Sequence, residues 1–383
     1  MVLIYLLLLP ISITILVVIT VSRFLTTSAA SKHRSPPLPP GPKPWPIIGN
    51  LPHLGKQAHI SLQRFSQLYG PLISLRLGSQ LLVVASSPAA ASEILRTHDR
   101  LLSARYVPTV VPYDTVELDR KAIVWASSCS NDQWKAFRAM FRNQIFSAKA
   151  IESQAAVRER KVAQMVEFLE GKLGEELFSA GTDTNTATIE WAMTELIRNK
   201  GAMEKLREEL MAELSPPLLG KSQIDESAAC RLPYLNAIVK ETLRLHPPGP
   251  LLLPHRASES CEVMGYTVPE GAQIVVNVWA ISRDPTVWED DPTSFKPERF
   301  IGSEVDFRGQ DFELLPFGAG RRMCPGVPLA TRQIPLVLAA LVRNFDWCLP
   351  DGEDPAEMDM SEKFGITLQK EQPLLLVPNG SSL

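Results

Sequence analysis

The sequence predicts a mainly α-helical fold with a minor, locally paired β component, carried behind an N-terminal membrane anchor. Three observations lead there. Helical signals begin at Asn131, and from about Ala148 to Leu214 the pattern is almost continuously helical and charged. Between Leu251 and Asn277 the residues alternate around Gly265-Tyr266-Thr267-Val268-Pro269, which reads as short strands and turns. Met1 to Ser22 contains no charged side chain and is rich in Leu, Ile and Val. With 383 residues, 45% of them hydrophobic and 21% charged, the chain has room for one large core or two domains.

Residues 1–22 match the span of about 20 apolar residues that crosses a bilayer. A cleaved signal peptide is the alternative, but the run is long, has no basic start and lacks a small-residue cleavage site. Arg23, Lys32, His33 and Arg34 follow the span and nothing basic precedes it, so a cytosolic domain is expected. The sequon Asn379-Gly380-Ser381 would then stay unmodified. Residues 23–46 form a basic, Pro-rich hinge; Pro36 to Pro46 forbids helix and favours a stiff, extended spacer, with an SH3-type ligand as the other reading. The domain itself occupies 47–383. Leu72 to Leu77 and Gln80 to Ala85 read as strands, and Pro216-Pro217 stops the long helical stretch. Pro233 to Arg244 is helical and ends at His246-Pro247-Pro248, and a last helix covers Val327 to Phe345.

Composition excludes several functions. A net charge of −3 without a basic run argues against nucleic-acid binding. Cys129, Cys230, Cys261, Cys324 and Cys348 are odd in number and form no CxxC pair. This speaks against a disulfide framework or structural zinc and for a reducing compartment. The missing C-x-x-C-H excludes covalent c-type haem attachment.

The strongest local signal is Phe317-Gly318-Ala319-Gly320-Arg321-Arg322-Met323-Cys324-Pro325-Gly326, opening a helix. Glycines let backbone approach a flat cofactor closely, and amides at a helix N-terminus favour a thiolate. One cysteine alone is more often a buried, inert thiol. Together, however, these residues resemble the cytochrome P450 pattern FxxGxRxCxG at every fixed position. The resemblance implies the P450 fold, haem b, and Cys324 as the axial ligand to the iron. It places Phe317, Gly318 and Gly326 in the cofactor loop and Arg322 at a haem propionate. Glu241-Thr242-Leu243-Arg244 resembles the family's ExxR; residues three apart share a helix face, though such a pair is ordinarily a surface feature worth a few tenths of a kcal/mol. Pro297-Glu298-Arg299-Phe300 is similar to its PERF element. By resemblance Glu241, Arg244 and Arg299 form a structural network that holds the cysteine loop. Trp134 and Arg138, at i and i+4, resemble the WxxxR that reaches propionates. In Leu253-Pro254-His255-Arg256 either His255 or Arg256 is a third propionate contact. Ala180-Gly181-Thr182-Asp183-Thr184 resembles the oxygen-activation stretch, with Asp183 and Thr184 delivering protons and Thr184 bonding back to the Ala180 carbonyl. A solvated helix face is the plain alternative for those two residues.

Trp45-Pro46-Ile47-Ile48-Gly49-Asn50 and Phe364-Gly365-Ile366-Thr367-Leu368 resemble plant microsomal members of specialised metabolism, near the N-methylcoclaurine 3′-hydroxylase and geraniol 8-hydroxylase groups. This implies O2, electrons from NADPH through NADPH–cytochrome P450 reductase, the endoplasmic reticulum membrane, and a small hydrophobic substrate to be hydroxylated or coupled. Pocket-lining candidates are Tyr106 to Val111, Ala180, Leu251 to Leu253 and Phe364 to Thr367. One departure matters. Only 47 positions separate Trp134 from Gly181, and about 120 residues are missing from a family length near about 500. The resemblance covers Met1 to about Phe168 and Glu176 to Leu383, with a seam at 170–175. A second reading follows: a catalytically impaired haem-binding membrane protein produced by internal deletion.

Overall fold

The computed structural model describes residues 36–107, 122–126, 131–172, 177–178, 184–214 and 224–380. The predicted anchor (1–22) and the first part of the hinge (23–35) lie outside them. No helix among the described residues is long and apolar enough to cross a membrane.

The first half contains α1 (Ala58–Tyr69), β1 (Leu72–Leu77), β2 (Gln80–Ala85), β3 (Ala104–Arg105), α2 (Asp132–Met140) and α3 (Ala155–Glu170). Then come β4 (Leu177–Phe178), α4 (Thr184–Arg198), α5 (Lys200–Glu213) and α6 (Pro233–Leu245). Short elements follow: β5 (His255–Arg256), β6 (Cys261–Val263), β7 (Tyr266–Val268), β8 (Gln273–Val276) and α7 (Val278–Ile281). The chain closes with α8 (Val327–Asn344), β9 (Phe345–Cys348), β10 (Glu362–Lys363), β11 (Gln369–Lys370) and β12 (Leu375–Gly380).

Apolar side chains at helical spacing build the core. Val162, Val166 and Leu169 on α3 meet Leu196 of α4, Leu206 and Leu210 of α5, Ile238 of α6 and Leu338 of α8. Each such side chain, fully buried, contributes about 1.5–3 kcal/mol. Beside this bundle lies a five-stranded sheet of order β1-β2-β8-β5-β3, with β2 and β8 parallel and the other pairs antiparallel.

Two expectations change. The stretch 148–214 is not continuous helix: Leu177 and Phe178 pair antiparallel with Leu376 and Leu375 on one edge of β12, whose other edge takes β9. Unpaired backbone at a strand edge needs a partner, and that demand outweighs local helical patterning. Nor is the β component only local, since β2 takes its parallel partner from the far half of the chain.

The ExxR pair is wholly buried. Arg244 Nε and Nη2 donate to Glu241 Oε2 and Oε1 at 2.7 and 2.8 Å. Its Nη1 donates to the carbonyls of Ser282 and Pro292 at 2.6 and 2.7 Å. Arg299 Nε and the Lys296 amide both donate to Glu241 Oε1, at 3.0 and 2.8 Å. Glu241, Arg244 and Arg299 therefore converge as expected. The network ties α6 to the irregular segment after α7. Lys240 extends the tie by donating to the Val305 carbonyl at 2.8 Å, and nearby Phe307 meets Phe317 edge-on at 5.4 Å.

Breaking a buried pair from one side leaves an uncompensated charge and costs about 3–5 kcal/mol. Glu241→Ala is expected to lose that much in a urea titration of the full chain. Lys135→Ala, which removes an exposed bridge to Asp132, should change stability by under about 1 kcal/mol. Equal, small effects would contradict the structural role of the network.

Candidate functional site

The segment Pro316 to Gly326 runs into the N-terminus of α8. Its path demands glycine at one point above all. Gly320 has φ +66°, and a Cβ there would lie 2.2 Å from the Leu95 carbonyl oxygen. Asp99 holds the same stretch, pairing with Arg321 Nε at 3.0 Å. The Cys324 amide donates to the Phe317 carbonyl at 3.0 Å, and Arg138 Nη2 donates to the Met323 carbonyl at 2.9 Å. Backbone thus fixes the residue that carries the sulfur. A Cβ on Gly326 would stand 3.6 Å from that sulfur.

Cys324 is exposed and lines a cavity of about 320 Å³, within the range of small-molecule sites. Trp134, Arg138, Thr184, His255, Phe317, Gly318 and Arg322 line it too. Apolar walls come from Leu95, Leu243, Leu252, Ile334 and Ile366. Ile366 is 82% exposed, so the cavity is open on that side.

The cations are set by backbone carbonyls. Arg322 Nε donates to Ser103 O at 2.9 Å and Nη2 to Ala126 O at 2.7 Å, and its guanidinium lies 4.6 Å from the Trp134 ring. Trp134 Nε1 donates to Ile123 O at 2.9 Å. Burial lowers the Arg138 pKa, and the charge of Cys324 opposes that shift. His255 donates Nδ1–H to Leu102 O at 2.9 Å. Burial first, then the charges of Arg105 and Arg322, drive its pKa well below the usual imidazole value, so the ring is neutral.

Alternation along β5 decides between the two candidates there: His255 is buried facing the cavity and Arg256 is exposed. Of the two residues left open by the sequence, His255 lines the cavity and Arg256 does not. Phe364 also differs, stacking on His59 at 5.1 Å instead of lining the cavity, and Leu251 packs against the β-sheet cluster. Leu252, Leu253, Ile366 and Thr367 do line it. Ala180, Asp183 and the range 108–111 lie outside the described residues. Thr184 opens α4 on the cavity wall, and one turn later Thr188 donates its hydroxyl to the Thr184 carbonyl at 2.8 Å. The back-bond expected from Thr184 to Ala180 lies outside the described residues.

Arg105 was not foreseen. It is 6% exposed, lines the cavity, and donates to Val124 O and Leu253 O at 3.2 and 2.8 Å. A single basic residue closing a two-residue strand carries no sequence pattern. Among the described residues the cavity wall includes three arginines and no Asp or Glu.

An apolar cavity with glycines in its wall, one accessible thiol and an excess of positive charge fits a planar dicarboxylate ligated through sulfur. This is the donor set of a haem-thiolate protein. The sequence model of the family "Cytochrome P450" matches residues 39–177 and 172–377. The chain belongs to the cytochrome P450 family, whose members are haem-iron monooxygenases. It is 41% identical over 462 residues to the probable (S)-N-methylcoclaurine 3′-hydroxylase isozyme 2 of Coptis japonica, covering 89% of this chain and 93% of that one. It is 35% identical over 465 residues to corytuberine synthase of Coptis japonica, with 89% and 94% covered. Geraniol 8-hydroxylase of Catharanthus roseus is 34% identical over 475 residues, with 90% and 94% covered.

Gly320→Ala meets both an unfavourable φ, about 1–2 kcal/mol, and the Leu95 carbonyl. Gly302 has φ +73° but open space around it, so Gly302→Ala meets the first penalty alone. Haem retained per purified chain should fall sharply in Gly320→Ala and stay near the parent level in Gly302→Ala. Matching values would refute the close approach as the reason for glycine.

Proposed function

We propose that this chain hydroxylates, or oxidatively couples, a small hydrophobic plant metabolite of the benzylisoquinoline or monoterpenol class. It uses O2 and electrons from NADPH delivered by NADPH–cytochrome P450 reductase at the endoplasmic reticulum membrane. The observation that carries this reading is Cys324, held by backbone at the wall of an apolar cavity ringed by cations.

Each residue has a task. Cys324 would hold the haem iron through its sulfur. Arg138, Arg322 and the newly placed Arg105 would hold the propionates, beside the Trp134 ring and the neutral His255, whose N–H groups are already given to backbone carbonyls. When bound, the haem supplies the oxygen chemistry, and thiolate donation favours O–O cleavage. Thr184, which opens α4 on the cavity wall, and Asp183, its neighbour in sequence, hold and pass protons in this reading. Leu252 and Leu243 exclude water around the substrate and, with Ile366, select for apolar surface. The relatives named above act on N-methylcoclaurine and geraniol by their names, which supports the substrate class.

One observation favours a second reading, a haem-binding protein with impaired catalysis. The family matches in two stretches that meet at 172–177, beside the predicted seam at 170–175. An alignment of 462 residues also draws on only 89% of a 383-residue chain. A deletion there would shorten the cavity roof and, with Ile366 bared, admit water. Reconstitution with reductase separates the readings: substrate-dependent product supports the monooxygenase, whereas NADPH consumption that ends in hydrogen peroxide supports the second.

Both readings require the thiolate. The reduced, CO-treated protein should absorb at about 450 nm, and Cys324→Ser should abolish that band while leaving the fold intact by circular dichroism. A band surviving in Cys324→Ser would overturn both.

A further inference from the structure

Between β10 and β11 the chain forms a hairpin whose loop carries Ile366 and Thr367 into the cavity wall. Its root is fastened by buried charge. Glu362, on β10, has a side chain only 9% exposed. Its carboxylate accepts the Trp279 indole N–H at 3.0 and 3.3 Å and pairs with His59 Nε2 at 3.2 Å. Arg283 Nη2 stands 3.6 Å away and His246 Nδ1 3.7 Å. The Glu362 carbonyl accepts from Gln57 Nε2 at 3.1 Å. These partners come from α1, the end of α6, α7 and the turn after it.

The cluster reaches the helix behind the cavity. His246 Nε2 pairs with Glu195 Oε1 at 2.8 Å, and its ring stacks on Trp191 at 3.9 Å and 2°. Both partners are on α4, which also bears Thr184 and Thr188. On the returning strand Lys370 lies 4.8 Å over Trp191 and donates to the Asp359 carbonyl. The Leu368 amide donates to Pro248 O at 2.8 Å, and Pro248 lines the cavity. Burial pushes the Glu362 carboxyl up, but His246, His59 and the Arg283 charge outweigh it, and the group stays well below the usual carboxylate range. Burial likewise lowers Arg283, against the pull of Glu362, to about 10.

Removing a carboxylate, a guanidinium and two imidazoles from water costs several kcal/mol per charge. Apolar side chains would fasten a hairpin at less cost in stability. What the charges add is direction, because a carboxylate accepting from fixed donors has one seat.

We propose that Glu362 is a positioning residue for substrate: through His59, His246, Trp279 and Arg283 it seats the hairpin so that Ile366 and Thr367 form a fixed wall of the cavity. The inference rests on that cavity being the haem and substrate site. Imidazole and 4-phenylimidazole binding to the ferric full-length protein, followed by the Soret shift, tests it. The small azole does not need the wall and the phenyl group does. Glu362→Gln should weaken 4-phenylimidazole binding about tenfold while leaving imidazole affinity and the CO band unchanged. A purely structural role would weaken both azoles alike, and that result, or no change in either, overturns the proposal. Should Glu362→Gln lose haem, Trp279→Phe removes one donor, keeps the ring, and takes the same comparison with the same criteria. Absence of the CO band in the parent chain would sink the reading of the cavity itself. A normal parent band with unchanged phenylimidazole affinity would sink only the positioning role.

Discussion

A thiol that faces an open cavity must be held by its backbone, because sulfur is a poor hydrogen-bond partner on its own account. That constraint shapes the rest of this molecule. Gly320 lies so close to Leu95 that no side chain fits between them. The amide of Cys324 is committed to Phe317, and the carbonyl before it to Arg138. The α8 N-terminus, the aromatic contact with Phe307 and the cation-lined wall are all referred to this one fixed point.

Around it the protein gathers positive charge, and gathers it expensively. Arg105 and Arg322 are buried and Arg138 half-buried; carbonyls of Val124 and Leu253 steady the first, Ser103 and Ala126 the second, and Met323 the third. A neutral His255 stands among them. A ligand carrying two carboxylates would offset much of that surplus. Two further buried ion clusters follow the same logic. Glu241 with Arg244 and Arg299 orients the segment that supports the cysteine loop. Glu362 with its ring of donors orients the opposite wall. Desolvated charge contributes little net stability, so its value here is geometric.

Much of this was legible from residues alone. Short β-like runs located β1 and β2, and helical patterning located α6 and α8 to within a residue. The cysteine loop and the ExxR pair were readable because both are local: a motif of fixed spacing, and two side chains on one helical face. What escaped was non-local. Arg105 is an ordinary basic residue until the sheet order brings β3 beside β5. The choice between His255 and Arg256 depends on which face of that sheet meets the cavity. Leu177 and Phe178 look helical until β12 offers them an edge. Phe364 turns to His59 because the hairpin root faces α1. Period and motif are written in the chain; the partner across space is not.

The meeting of two family-matched stretches at 172–177 bears on turnover more than on the metal centre, since the loop, the cations and both ion clusters belong to segments on either side. The central claim is therefore the sulfur–iron bond itself. X-ray absorption at the iron edge of the haem-loaded protein addresses it directly. One sulfur neighbour in the parent, absent in Cys324→Ser, is the predicted result. An iron with only nitrogen and oxygen neighbours in the parent, or a sulfur that persists after the substitution, would contradict it.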